Sequence, residues 1–285
     1  MAGRVTARRP MLAIDGSETR STRDILAVEE PMEIRLDGAP VAVTMRTPGD
    51  DFALALGFCC TEGLVDDPAD VASIRYCAGK DPQTGENTFN VVEVTRHRPA
   101  RVPDELRREV YTTSSCGICG TRSIDLVRRR LAGVEGDATS VSVEALRALP
   151  DRLRGAQALF DRTGGLHAAA LFTAGGTLVD IREDVGRHNA VDKLLGRIAM
   201  EGEVTGSGHV LMVSGRVAFE IAQKALWARV PVVAAVSAPT SLAVEFAAEA
   251  GMTLVGFLRG ERMNVYAGAQ RISNAVDDAH GSEDR

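Results

Sequence analysis

The chain has 285 residues, 45% hydrophobic and 25% charged, which is ordinary globular composition for one large or two modest domains. Its 33 basic and 39 acidic side chains give a net charge of −6, which argues against a general nucleic-acid binder and leaves room for a local basic pocket. No apolar run approaches the roughly 18 residues of a membrane span, and no apolar stretch follows Arg4, Arg8 and Arg9 as a secretory signal requires. Five cysteines without an export signal point to free thiols in a reducing cytoplasm.

In chain order, residues 1–23 are polar and aperiodic and read as a disordered tail, as do residues 273–285. Residues 32–36 and 41–45 alternate around Asp37-Gly38-Ala39-Pro40, the pattern of a hairpin. Asp50 or Asp51 opens a helix reaching Leu64, with Phe52, Leu56 and Cys59 or Cys60 on one face. Short strands follow near 71–77 and 88–95, which completes a small α+β region over residues 24–110.

The second half has another rhythm. A helix is expected over 142–159, then strands over 167–173 and 178–182 joined by Gly175-Gly176. Helices over 186–200, 216–228 and 239–250 alternate with apolar strands over 208–213, 230–236 and 252–257, and a last strand covers 263–267. Helices alternating with continuous apolar strands predict an α/β fold with a mostly parallel sheet covered on both faces. Ligands of such sheets bind beyond the carboxyl ends of the strands.

The sharpest local feature is Ser115-Cys116-Gly117-Ile118-Cys119-Gly120, which precedes a helical pattern carrying Ile124, Leu126, Val127 and Leu131. A thiol at a helix N-terminus in a Cys-x-x-Cys pair has a lowered pKa. A thioredoxin-like dithiol would follow a firm strand, and the segment ending in Thr112-Thr113 is a weak one. A structural zinc site needs two more ligands, and Cys59-Cys60 and Cys77 lack the spacing. The third chemistry is a nucleophilic or sulfur-carrying thiol on an exposed loop. The residues alone leave these three open. Cys59, Cys60 and Cys77 read as small buried hydrophobes.

Further blocks stand at the expected strand ends. Ser214-Gly215-Arg216 and Ser237-Ala238-Pro239-Thr240-Ser241 each end a strand and start a helix. Each suits simple helix capping or, with Arg259 and Arg262, a receptor for phosphate groups. Phe160-Asp161-Arg162-Thr163-Gly164-Gly165-Leu166-His167 and the ionisable cluster Arg182, Glu183, Asp184, Arg187 and His188 suit either solvated or ligand-facing roles.

With Thr47-Pro48-Gly49-Asp50, Leu56-Gly57-Phe58 and Gly256-Phe257-Leu258-Arg259-Gly260-Glu261-Arg262, these blocks stand in order along the chain, and the likeness they carry extends over about residues 24–272. Together they resemble the formate dehydrogenase accessory sulfurtransferase family, FdhD. The resemblance implies a sulfurtransferase that accepts persulfide sulfur from a cysteine desulfurase. It would pass that sulfur to the molybdenum bis(molybdopterin guanine dinucleotide) cofactor before insertion into formate dehydrogenase. By position, Cys116 is the persulfide-bearing residue and Cys119 its assisting or resolving partner. The cofactor-binding stretch maps onto Phe257, Leu258, Arg259, Gly260, Glu261 and Arg262, with GDP as a mimic of the cofactor's nucleotide ends and no permanent metal. The family works as a homodimer, and residues 111–272 are expected to resemble the cytidine deaminase fold. Deaminase chemistry is not expected, because His167 and His188 lack the His-x-Glu pattern and Cys116 follows Ser115 rather than Pro. The alternative is a chaperone that binds the cofactor without transferring sulfur.

Overall fold

A computed structural model describes residues 5–77, 89–100, 131–202 and 206–274. The first strands correct the expectation of a tail over residues 1–23. Thr6–Asp15 (β1) and Glu18–Ala27 (β2) pair antiparallel around Gly16, whose φ of 58° suits a tight turn. Polar and charged residues on both faces of this ribbon conceal the alternation that marks a half-buried strand.

Glu30–Leu36 (β3) and Ala39–Arg46 (β4) form the expected hairpin. With Val71–Tyr76 (β5) and Val91–Arg96 (β6) they make a four-stranded sheet in the order β4-β3-β6-β5. Asp51–Thr61 (α1) packs on it, and Met32, Ile34, Leu36, Leu54, Cys59, Cys60, Val92 and Val94 share one apolar cluster.

The second half begins with Val141–Ser142 (β7), paired with Ile272–Ser273 (β14), and continues with Val143–Ala156 (α2) and Ala158–Thr163 (α3). His167–Thr173 (β8), Leu178–Asp184 (β9), Arg187–Met200 (α4) and His209–Val213 (β10) follow. Phe219–Trp227 (α5), Val232–Ala235 (β11), Ser241–Glu249 (α6), Thr253–Arg259 (β12) and Arg262–Ala267 (β13) complete it. A six-stranded sheet has the order β13-β12-β11-β10-β8-β9.

This sheet is mixed rather than mostly parallel. Only β10–β11 and β11–β12 are parallel, and the pairs β8–β9, β8–β10 and β12–β13 are antiparallel. The connections explain it. The two residues Gly260-Glu261 join β12 to β13, and four residues join β8 to β9. Turns that short only close antiparallel hairpins, whereas the parallel pairs have helical crossovers through α5 and α6.

The sheet is covered on both faces, as the apolar runs require. Leu171, Leu211, Val213, Val233, Ala235 and Leu254 face α4, α5 and α6. Ala170, Phe172, Val210, Met212, Val232 and Val255 face Leu146, Leu149 and Leu153 of α2. Side chains alternate between faces along each strand, so one six-stranded sheet serves two cores.

Helices α1 and α4 join the layers at very close range. An added Cβ at Gly57 would lie 2.0 Å from the Asp192 carbonyl oxygen, and one at Gly196 would lie 1.9 Å from that of Ala53. Only glycine permits this backbone-to-backbone crossing. Beside it, Lys224 Nζ donates to Thr61 Oγ1 at 2.8 Å, Glu62 Oε1 at 2.9 Å and Asp192 Oδ2 at 3.0 Å. Among the described residues no helix is long and apolar enough to cross a membrane.

Candidate functional site

Strands β9, β10, β11 and β12 end at one edge of the large sheet, where β8 and β13 begin. That edge therefore gathers His167, the 185–187 turn, the 214–216 loop, the 236–240 loop and the β12–β13 hairpin. Blocks separated by up to about 95 residues of chain become neighbours because the strands that precede them are adjacent.

The rim is tied together by its own backbone. Val217 N donates to Ala238 O at 3.2 Å and Thr240 N to Val217 O at 2.9 Å, so two strand-to-helix loops run side by side. Phe257 N donates to Ser237 O at 3.1 Å, and Arg259 Nε donates to Val236 O at 3.0 Å. Ala168 N donates to Ser214 Oγ at 2.9 Å. Gly215 lies so close to the His167 ring that an added Cβ would be 3.3 Å from Nδ1 and 3.7 Å from Arg187 Cδ.

The predicted binding stretch forms the β12–β13 hairpin. Phe257, Arg259, Gly260, Glu261 and Arg262 are exposed, and Phe257 holds a left-handed φ of 53°. That conformation is uncommon outside glycine and occurs where the β12–β13 register shifts. Leu258 differs from its neighbours. Its side chain is fully buried in the α2-facing core, so only its backbone faces the rim. Cys116 and Cys119 lie outside the described residues.

The start of α4 shows how the charged cluster divides its work. Asp184 is fully buried and accepts from Thr47 N at 3.0 Å, Gly186 N at 2.8 Å, Asn189 Nδ2 at 3.0 Å and Lys193 Nζ at 2.7 Å. Lys193, itself 2% exposed, also donates to Thr47 O at 2.7 Å. Glu183 accepts from Leu159 N at 2.9 Å and Phe160 N at 2.8 Å and so caps α3. These two carboxylates are structural anchors. Arg187 is instead half-buried at the rim, and its Nε has no hydrogen-bond partner among the described residues. Glu183 and Asp184 belong to the ionisable cluster visible in the sequence and Lys193 lies beyond it, but the anchoring roles of all three depend on partners far away in the chain.

Two helix starts at this edge lack side-chain caps. Gly186 precedes α4 and Ala218 precedes α5, and neither supplies a side-chain acceptor. Their first-turn N–H groups and the side chains of Arg187, Arg216, Arg259 and Arg262 lie along this edge together with Glu220 and Glu261, and the N–H groups and guanidinium groups are suited to anions. Thr240, by contrast, caps α6 through Ala243 N at 3.3 Å. The His167 imidazole is held below its usual pKa by burial and then by the Arg187 cation, against the opposing pull of Asp184. It is therefore neutral at pH 7.

Of the three described thiols, Cys59 and Cys60 are buried as expected, whereas Cys77 is only partly buried, which corrects its reading as a buried hydrophobe. Burial pushes the Cys60 pKa up to about 12, with the Asp192 carboxylate adding to it, and burial also raises Cys59 well above its usual value. Both are fully enclosed in the α1 core and remain protonated. A thiolate relay cannot run through them.

Comparison with known proteins places this geometry. The model of the FdhD/NarQ family matches residues 27–273. Sulfur carrier protein FdhD of Streptomyces coelicolor is 58% identical over 274 residues, covering 95% of this chain and 97% of that protein. Sulfur carrier protein FdhD of Streptomyces avermitilis is 57% identical over 282 residues, covering 98% and 100%. A crystal structure of a Desulfotalea psychrophila protein, described as a formate dehydrogenase accessory protein, has the same fold. It matches with a TM-score of 0.72 at 22% identity, over 94% of this chain and 99% of that one. A family match over nearly the whole chain, with relatives this similar along their full length, means that the chain belongs to the FdhD/NarQ family.

Proposed function

We propose that this protein is a cytoplasmic sulfur carrier that takes persulfide sulfur from a cysteine desulfurase. It delivers that sulfur to molybdenum bis(molybdopterin guanine dinucleotide), its bound substrate, before the cofactor enters formate dehydrogenase. The kinship with proteins named as sulfur carriers supports the first half of this reading. The observation that carries the second half is the single rim where two uncapped helix starts and four arginines meet. A cofactor with two pyrophosphates presents the charge such a rim accommodates.

In this reading Cys116 thiolate attacks the sulfane sulfur of the desulfurase persulfide. A Cys116 persulfide forms and the desulfurase cysteine leaves as thiolate. Cys119 thiolate then attacks Cys116 Sγ, which forms a disulfide and releases the terminal sulfur as sulfide to molybdenum. Oxidation of the two cysteine sulfurs to the disulfide supplies the two electrons that reduce the terminal sulfur to sulfide, and an external dithiol then reduces the disulfide and restores the pair. Arg259 and Arg262 hold nucleotide phosphate, and Phe257 and the backbone of Leu258, Gly260 and Glu261 shape the same pocket. Two copies of the chain form the working unit. The cytidine-deaminase-like assignment of the large sheet belongs to the same proposal, as scaffold without deaminase chemistry.

Calorimetric titration with GDP tests the rim. The parent chain and Cys116→Ala should bind, and Arg259→Ala with Arg262→Ala should weaken binding by more than about tenfold. A parent chain that binds no GDP, or a double variant that binds as tightly, would remove the rim from the account. A chain that binds GDP yet never carries sulfur would favour the cofactor chaperone.

A further inference from the structure

His167 opens β8, and β8 lies between β9 and β10 in the large sheet. It pairs antiparallel with both, so it begins where they end. Its first residue therefore stands between the turn that leads into α4 and the loop that leads into α5. Alternation along β8 fixes the face. Ala169 and Leu171 point to the core under α4, α5 and α6, whereas Ala168, Ala170 and Phe172 point to the α2 core. His167 shares the face of Ala169 and so lies on the side where α4 and α5 start.

The half-buried ring meets a cation on one side and bare backbone on the other. Arg187, the first residue of α4, acts on it electrostatically, and the 214–216 loop meets it at Gly215, which has no side chain. Asp184, its cross-strand neighbour in β9, is already committed to four donors. Glu220, in the first turn of α5, faces His188 instead, with 3.9 Å between Oε2 and Nε2. Among the described residues neither His167 nor Arg187 has a side-chain hydrogen bond or ion pair. Two unpaired basic groups side by side repel each other when both are charged, and an anion between them reverses that. The hairpin arginines are elsewhere on the edge. Strand β12 is three strands from β8, about 14 Å at the usual spacing, which is far enough for a separate phosphate group.

We propose that His167 and Arg187 together hold one phosphate group of the bound cofactor, with His167 taking up a proton from solvent as that group binds, which rests on the cofactor-binding reading of this edge. The neutral imidazole offers the phosphate one N–H, and the protonated ring offers two and a positive charge. Arg259 and Arg262 receive the other pyrophosphate, so one edge serves both arms of the substrate.

Proton NMR of the full chain tests this, with the His167 signal assigned by its absence from His167→Gln. Saturating inorganic pyrophosphate and, separately, GDP should each raise the titration midpoint of His167 by about one pH unit. Arg187→Gln should raise the midpoint of the ligand-free protein, because a neighbouring cation is gone, and should shrink the rise that ligand causes, with its melting unchanged. Arg259→Ala with Arg262→Ala should keep the rise with pyrophosphate. An unmoved midpoint in a chain that calorimetry shows to bind GDP would overturn the role of His167 and leave the rim standing. A chain that binds neither probe would overturn both. A rise with pyrophosphate but not with GDP would overturn the link to the cofactor and assign the receptor to free phosphate. An equal rise in Arg187→Gln would remove Arg187 from the contact, and loss of the rise in the Arg259, Arg262 variant would overturn the separate receptor.

Discussion

Gly196→Ala is the perturbation whose outcome the packing determines most sharply. In a helix interior this change alone favours the fold by about 1 kcal/mol, because alanine loses less backbone freedom than glycine. Here the new Cβ would lie 1.9 Å from Ala53 O and 2.7 Å from Gly57 N. Both atoms are backbone of α1, so no side chain can turn aside. Helices α1 and α4 must separate by more than an ångström, which opens the cluster that holds Cys59, Cys60 and Ala199. Overpacking of this kind costs about 3 kcal/mol at the upper end of its usual range. The net loss is about 2 kcal/mol, or roughly 3–4 °C in Tm for a chain of this size. Gly155→Ala in α2 is the control, since nothing lies within 4 Å of its added Cβ. It should raise Tm slightly. Differential scanning calorimetry of the two variants checks both signs. A Gly196→Ala protein as stable as its parent would refute the close crossing.

Three further outcomes follow from the site. Asp184→Asn strands the Lys193 ammonium in a buried pocket and should cost about 3–5 kcal/mol in urea denaturation, with partial recovery in Asp184→Asn, Lys193→Met. Equal stability of the single variant and its parent would contradict the pairing. The His167 imidazole should titrate below its usual 6.5 in NMR spectra of the folded chain. Since the unfolded chain takes up that proton first, this residue's contribution to stability is intact above pH 6.5 and declines as pH falls below it. A midpoint at or above 6.5 would count against the burial and the Arg187 contact. Iodoacetamide at pH 8 should leave Cys59 and Cys60 unmodified in the native protein, because both thiols stay protonated and enclosed. Alkylation of either without unfolding would show that the α1 core opens.

Much of the fold is legible in the sequence wherever periodicity is strong. The strand expected over 167–173 is His167–Thr173, and the helix expected over 186–200 is Arg187–Met200. The misses have tertiary causes. A single helix over 142–159 is divided at Gln157, whose ψ of 71° breaks the run. The second piece is capped by Glu183, which local sequence cannot reveal from 24 residues away. The ribbon at 6–27 escapes notice because arginine and threonine occupy positions that burial would have made apolar. Strand direction is also invisible to periodicity, since antiparallel β8 is as apolar as parallel β10. At the site, the hairpin over 257–262 follows from the sequence, but burial of the Leu258 side chain and the anchoring by Asp184 and Lys193 do not. Those depend on partners that only the folded chain brings near.

The most direct test of the sulfur-carrier account is anaerobic intact-mass analysis after incubation with a cysteine desulfurase and cysteine. The parent chain should gain the mass of sulfur and lose it on reduction, while Cys116→Ala should gain none. A parent chain that takes up no sulfur from an active desulfurase, or a Cys116→Ala chain that takes up as much, would contradict it.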